Sequence, residues 1–306
     1  MRVAGHLRRP ASVIAGLAAA VVLLVPAQAA LAAQAAQAAQ PPQAARAPQA
    51  SGPAGVLAPW AELANAATGA QLWDRSAGIE RPMGSIAKVM TAYVVIEAGH
   101  LNRVITVPKG IIAYDDRYGA STAGLVPGEK LTALQLLYAL LIPSGCDAAY
   151  TLAYAYGPGG AAFIAQMNAT ARKLGLTRTH FSDFSGLPDP GEYTTYSTAQ
   201  DLIILGLDAM RLPLFRRIVV LRSYHLAAGH GHLAHTWQTT NLLLGHYSGA
   251  VGIKTGYTRA AGYCLLFEAR RDGETLIGVV LHSSTVSMAG AASDAEKMLS
   301  WGFGRD

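Results

Sequence analysis

Residues 252–282 read GIKTGYTRAAGYCLLFEARRDGETLIGVVLH, three apolar stretches separated by short breaks. Residues 252–257, 262–269 and 275–282 are rich in β-branched, aromatic and aliphatic side chains, and Arg271-Asp272-Gly273 is a turn signal between the last two. A helical pattern at 287–301 follows this block. At the other end of the globular sequence, strands at 60–65 and 70–73 flank the turn Ala67-Thr68-Gly69. Between them lie helical periodicities at 85–99, 131–141, 147–156, 160–174 and 198–210. The first has Ile86, Met90, Tyr93, Val94 and Ile96 apolar and is closed by Gly99. Strands at both ends with helices between them predict an α/β (α+β) fold. One antiparallel sheet is assembled from the two termini and carries an inserted helical part over about 85–248.

The composition bounds what such a chain can be. With 51% hydrophobic and 14% charged residues among 306, it is not a disordered polyelectrolyte. The net charge of +5 includes Arg2, Arg8 and Arg9, and falls to +2 without those three. No later run of Lys and Arg exists, so nucleic acid is not an expected partner. The three arginines precede an apolar stretch at 11–25 that ends at Pro26. A spanning helix needs about 20 apolar residues, so residues 1–32 read as a signal peptide with Ala30-Leu31-Ala32 at its cleavage site. The protein is expected to be exported and extracytoplasmic, with membrane attachment only if that signal is retained. Residues 33–55, almost entirely Ala, Gln and Pro, read as a flexible linker, and 56–306 as the catalytic domain. Cys146 and Cys264 sit in apolar surroundings and are expected to be free thiols.

Chemistry concentrates in three short motifs. Ser85-Ile86-Ala87-Lys88 places a hydroxyl and an amine one helical turn apart. A serine becomes nucleophilic when a base takes its proton, and a lysine that has lost its own proton can do so. The plain alternative is a helix-capping Ser with a solvated Lys. Lys254-Thr255-Gly256 lies on an expected strand, where Lys and Thr can hold a substrate carboxylate and Gly256 lets a substrate backbone approach. The alternative there is an edge strand carrying a protective Lys. Ser144-Gly145-Cys146 lies in a turn between two apolar helices and could aim a hydroxyl into a cleft, or simply cap a helix. Neither a His⁺ nor a free helix start is evidently arranged to make a thiolate of Cys146, so the thiol is not the expected nucleophile. His225, His230, His232 and His235 cluster without a His-Glu-x-x-His spacing and read as a Gly-rich surface loop. No metal and no cofactor are expected.

Taken in this order, the three motifs resemble those of the penicillin-recognising serine enzymes, Ser-x-x-Lys, Ser-x-Asn and Lys-Thr-Gly. Residues 81–97, 128–149, 166–201 and 249–272 are similar to the low-molecular-mass D-alanyl-D-alanine carboxypeptidases, peptidase family S11. The resemblance implies a β-lactamase/transpeptidase-like fold with its site between sheet and helices. It implies that Ser85 is acylated, that Lys88 is its base, and that Ser144 relays a proton to the leaving D-alanine. Lys254 and Thr255 would orient the terminal carboxylate, and the backbone N–H groups of Ser85 and Tyr257 would form an oxyanion hole. The implied partners are a peptidoglycan stem peptide ending in D-Ala-D-Ala and β-lactams as covalent inhibitors. Cys146 stands at a substrate-binding position where most relatives have Asn. An alternative is therefore a penicillin-binding or wall-binding module with weak or no turnover. Neither a β-rich second domain nor a C-terminal amphipathic helix is recognised after the catalytic part. No Glu-x-x-Leu-Asn follows the middle motif, which implies slow loss of a bound penicillin.

Overall fold

The computed structural model describes residues 52–304. The expected signal peptide and residues 33–51 of the linker lie outside the described residues. Residues 52–55 do not behave as a tether: Pro53 is buried and Lys297 Nζ donates to the Gly55 carbonyl at 2.7 Å.

The chain opens with the hairpin β1 (Trp60–Asn65) and β2 (Gln71–Arg75), then the two-residue β3 (Arg81–Pro82). A 3-10 turn at Gly84–Ala87 runs directly into α1 (Lys88–Ala98). The helical part continues through β4 (Val104–Thr106), α2 (Gly110–Tyr118), β5 (Lys130–Thr132) and α3 (Ala133–Leu141). It proceeds through α4 (Cys146–Tyr156), α5 (Gly160–Lys173), β6 (Tyr196–Ser197), α6 (Ala199–Arg211) and α7 (Pro213–Val219). After the small hairpin β7 (Ser223–Leu226) and β8 (His235–Gln238) come β9 (Ala250–Thr258), β10 (Gly262–Arg271) and β11 (Glu274–Ser284). Helix α8 (Met288–Phe303) ends the described chain.

The main sheet has the order β2-β1-β11-β10-β9 and is antiparallel throughout. β1 pairs with β11, from Trp60 opposite Leu281 to Asn65 opposite Leu276, so the two ends of the globular sequence meet in the middle of the sheet. Alternate side chains serve two cores. Leu265, Phe267, Leu276 and Val280 belong with Ala295, Met298 and Leu299 of α8. Leu266, Ile277 and Val279 belong with Leu202 and Leu205 of α6 and the rest of the helical part. Both faces being covered explains the unbroken apolar runs of β10 and β11, which an antiparallel strand with one wet face would not show.

The expected elements recur with adjustments. The 131–141 pattern splits into β5 and α3, because Thr132 caps the helix: its hydroxyl accepts from Gln135 N, and the Gln135 side chain accepts from Thr132 N. Helices α2 and α7 and the β7–β8 hairpin were not expected. That hairpin corrects the reading of the histidine segment as a surface loop. His225 lies opposite Thr236 on β8, while His235 is buried, stacks on Trp237 and places Nε2 3.0 Å from Glu129 Oε1. Cys146 and Cys264 are free and buried, as expected. Burial pushes the Cys264 thiol up to about 12.

One buried group in the sheet carries a pH dependence. Glu62 on β1 is 6% exposed, its Oε2 has no partner, and Asp74 on β2 lies directly opposite. Burial first, then the Asp74 charge, raises its pKa to about 7 from 4.5. The folded state thus holds this proton more tightly than the unfolded chain. The resulting stability is complete below about pH 4.5 and is lost as pH rises through 7. Urea unfolding at pH 5 and pH 8 should show Glu62→Gln losing less stability across that interval than the parent, by about 1–3 kcal/mol. Equal losses would contradict a buried protonated Glu62.

Candidate active site

Ser85 reaches the sheet because glycines allow two segments, its own turn and β9, to touch. Gly84, at φ +54°, would carry a Cβ only 2.5 Å from Tyr257 N. A Cβ on Gly256 would lie 2.2 Å from the Met83 carbonyl oxygen. Any side chain at either position would push the 83–87 turn off β9. Gly256 thus admits the 83–87 turn on one side while also lining the cavity, where its role toward a substrate was expected. The contact seats Gly84, the residue before Ser85, on the backbone of Tyr257; Ser85 and Tyr257 carry the two N–H groups expected to stabilise a developing oxyanion.

Lys88, the first residue of α1, is fully buried and has three acceptors. Its Nζ lies 2.8 Å from Ser85 Oγ, 3.2 Å from Cys146 Sγ and 3.3 Å from the Ser185 carbonyl oxygen. Ser185 is held in turn by Asp183, whose Oδ1 accepts from Ser185 N and Oγ at 2.8 Å each and from Leu187 N at 2.9 Å. The Tyr114 hydroxyl donates to Asp183 Oδ2 at 2.6 Å. Burial, followed by the Asp183 charge, raises Tyr114 well above the ordinary tyrosine range and keeps it a donor.

Cys146 opens α4 and touches a lysine amine. Both features were absent from the sequence reading. The thiol is nonetheless fully buried and is not part of the cavity lining; the contact it makes is with Lys88, beneath the position where it was expected to meet substrate. Ser144 is different. Its backbone is left-handed at φ +67°, a conformation costing a non-glycine residue about 1–2 kcal/mol, and its side chain lines the cavity. The turn is fixed from both sides. Ser121 Oγ donates to the Ser144 carbonyl at 2.8 Å, and the Asp147 carboxylate accepts from Ala123 N and Leu125 N at 2.9 Å each.

On β9, Lys254 and Thr255 divide. Lys254 is 1% exposed, and its Nζ donates to the Thr255 carbonyl at 3.1 Å and to Thr255 Oγ1 at 3.3 Å. Burial first, then the Lys88 charge, holds its amine well below the usual lysine range, with Cys146 acting the other way. Lys254 does not line the cavity but is hydrogen-bonded to Thr255, which does and whose hydroxyl is also hydrogen-bonded to Thr240. The cavity itself measures about 620 Å³ and is lined by Ser85, Ser144, Thr240, Thr255, Gly256 and Tyr257, among others. Tyr257 is half exposed and packs on Tyr263 at 4.4 Å between ring centroids. All three motifs therefore meet at one place, as expected. Ser185, Asp183, Tyr114, Ser121 and Thr240 were not anticipated; the Ser185-Gly186 turn after Asp183 was the one local signal available.

The family model described as D-alanyl-D-alanine carboxypeptidase matches residues 47–285. The D-alanyl-D-alanine carboxypeptidase of Streptomyces sp. (strain K15) is 41% identical over 251 residues, covering 78% of this chain and 84% of that protein. D-alanyl-D-alanine carboxypeptidase DacB2 of Mycobacterium tuberculosis is 34% identical over 253 residues, with coverages of 82% and 84%. The crystal structure of the Streptomyces K15 DD-transpeptidase superposes with a TM-score of 0.77 at 39% identity, covering 83% of this chain and 99% of that one.

The glycine contact gives a direct test. Gly256→Ala should displace the Ser85 turn while the sheet still forms, and a misplacement near 1 Å costs on the order of 10²-fold in rate. Penicillin acylation of Ser85 should fall by about that factor, with circular dichroism unchanged. Acylation at the parent rate would show that the turn does not depend on this contact.

Proposed function

This chain belongs to the D-alanyl-D-alanine carboxypeptidase family, peptidase family S11, and from that premise we propose the part each site residue plays. The protein is a serine-type D-alanyl-D-alanine carboxypeptidase with a β-lactamase/transpeptidase-like fold. One observation carries the assignment of roles: Lys88 Nζ lies 2.8 Å from Ser85 Oγ, at the wall of the cavity beside β9. Lys88, as the free amine, takes the Ser85 proton. The alkoxide attacks the carbonyl of the penultimate D-alanine, and the N–H groups of Ser85 and Tyr257 stabilise the oxyanion. Ser144 passes a proton to the leaving amine. Thr255, held by Lys254 and Thr240, receives the terminal carboxylate. Water releases the acyl group as a shortened peptide, whereas an amine in its place gives a cross-link.

The substrate is a peptidoglycan stem peptide ending in D-Ala-D-Ala, and β-lactams are read as the same dipeptide. We place the reaction outside the cytoplasm, where residues 1–32 would deliver the chain. No helix among the described residues is long and apolar enough to cross a membrane. The alternative of a binding module with a dead site is disfavoured by the Ser85–Lys88 hydrogen bond, which such a module does not need.

Incubation with a peptide ending in D-Ala-D-Ala should release D-alanine, and Ser85→Ala should abolish release. Benzylpenicillin should form a lasting adduct on Ser85 by intact-mass spectrometry and peptide mapping. Lys88→Ala should slow acylation by about 10²–10⁴-fold, as expected for a lost general base. Cys146→Ala should still form the adduct. An adduct on another residue, or one retained in Ser85→Ala, would overturn the assignment.

A further inference from the structure

Two charged side chains line the 620 Å³ cavity, Arg259 and Glu192. Both are exposed, and neither has a hydrogen bond or ion pair with a described residue, including each other. The lysines of the motifs lie beneath the surface, 0% and 1% exposed, and offer no charge to the cavity directly. A ligand filling the cavity therefore meets one free cation and one free anion. Arg259 presents a planar fork suited to a carboxylate, and Glu192 an acceptor suited to an ammonium.

Their place along the strand gives a direction. Thr255, Tyr257 and Arg259 alternate along β9 and the turn that follows it, and all three line the cavity. On the extended backbone of β9 the step from Thr255 to Tyr257 covers about 7 Å, and Arg259 follows in the turn. With the leaving carboxylate at Thr255 and the attacked carbonyl at the Tyr257 N–H, Arg259 lies one step further, on the acyl side. That is the region reached by the side chain of the residue preceding D-Ala-D-Ala. Glu192 enters the same cavity from the loop before β6 that also supplies Leu187 and Pro188.

We propose that Arg259 and Glu192 read a zwitterionic side-chain end, one carboxylate and one ammonium, on the residue preceding D-Ala-D-Ala. The substrate class is a stem peptide with a diaminodicarboxylic acid at that position, in preference to one with a simple diamino acid. A monoamino chain would satisfy Glu192 and leave the guanidinium unmatched; a monocarboxylate would do the reverse. The inference rests on the peptidase reading for the direction of the bound peptide.

The test uses four pentapeptides differing only at the third residue: norleucine, lysine, aminopimelate and meso-diaminopimelate. The readout is kcat/KM for D-alanine release, taken as a ratio to the norleucine peptide within each protein. For the parent, the meso-diaminopimelate ratio should be about tenfold or more, with both singly charged peptides in between. Arg259→Gln should cut the ratios of both carboxylate-bearing peptides by about three- to tenfold and spare the lysine ratio. Glu192→Gln should do the converse, lowering the lysine and meso-diaminopimelate ratios and sparing aminopimelate. Raising salt should shrink the parent's preferences, because the groups are exposed. Ratios near unity in the parent, or unchanged in both variants, would overturn the inference while D-alanine release upheld the peptidase reading. Failure to process any of the four would overturn that reading and this inference together.

Discussion

A lysine amine taken wholly out of water is the constraint around which this site is built. Burying an ammonium or amine without partners is costly, and an Nζ needs up to three acceptors. Lys88 has three, and they come from three separate parts of the chain: its own helical turn, the start of α4 and the 183–187 loop. Each acceptor must be held where the amine can reach it. Asp147 gathers the 121–125 strand of loop against α4, Asp183 folds its loop around Ser185, and Gly84 and Gly256 seat the Ser85 turn on β9. The catalytic hydroxyl is thus fixed by the same contacts that satisfy the buried amine.

The sheet makes this convergence durable. β1 and β11 join the two ends of the described domain, while α6 and α8 cover opposite faces. β9 is the edge strand, paired only with β10, so its other side is free to receive the nucleophile turn and an extended peptide. An edge is usually a hazard for unwanted pairing. Here the Ser85 turn packs against it through Gly84 and Gly256, and Val219 of α7 packs against it at Gly252.

What could be read from sequence divides by range. Strands β9 to β11 announce themselves by local pattern, and the two lysine motifs by local spacing, so the fold and Ser85, Lys88, Lys254 and Thr255 were all legible. The role of Cys146 was not, because its partner Lys88 is 58 residues away; nor was Ser185, which is 97 residues from the same amine. Gly256 was singled out, but a second reason for it was not legible, since the atom that excludes a side chain there belongs to Met83 on another element. Helix α2 was missed because only Ile111 and Tyr114 of its nine residues are buried, too few to draw an apolar stripe. The histidine hairpin was hidden by its Gly-rich turn, although the alternating burial of β8 is the pattern expected of a strand.

The departure at Cys146 has an electrostatic side that a volume argument misses. Two lysines, Lys88 and Lys254, are buried close enough that the charge on one lowers the pKa of the other. The sulfur bears on the same cluster with the opposite sign, pushing Lys254 upward and adding to the rise of Tyr114. A carboxamide in that position could hydrogen-bond to Lys88 but carries no ionisable proton, so it could not shift its neighbours in this way. The thiol therefore bears on the buried cluster through Lys254 and Tyr114. Lys254, held well below the usual lysine range chiefly by burial, donates to Thr255, and the cavity's free positive charge resides on Arg259. The two lysines thus lie beneath the cavity, while the charged side chains Arg259 and Glu192 stand at its exposed lining.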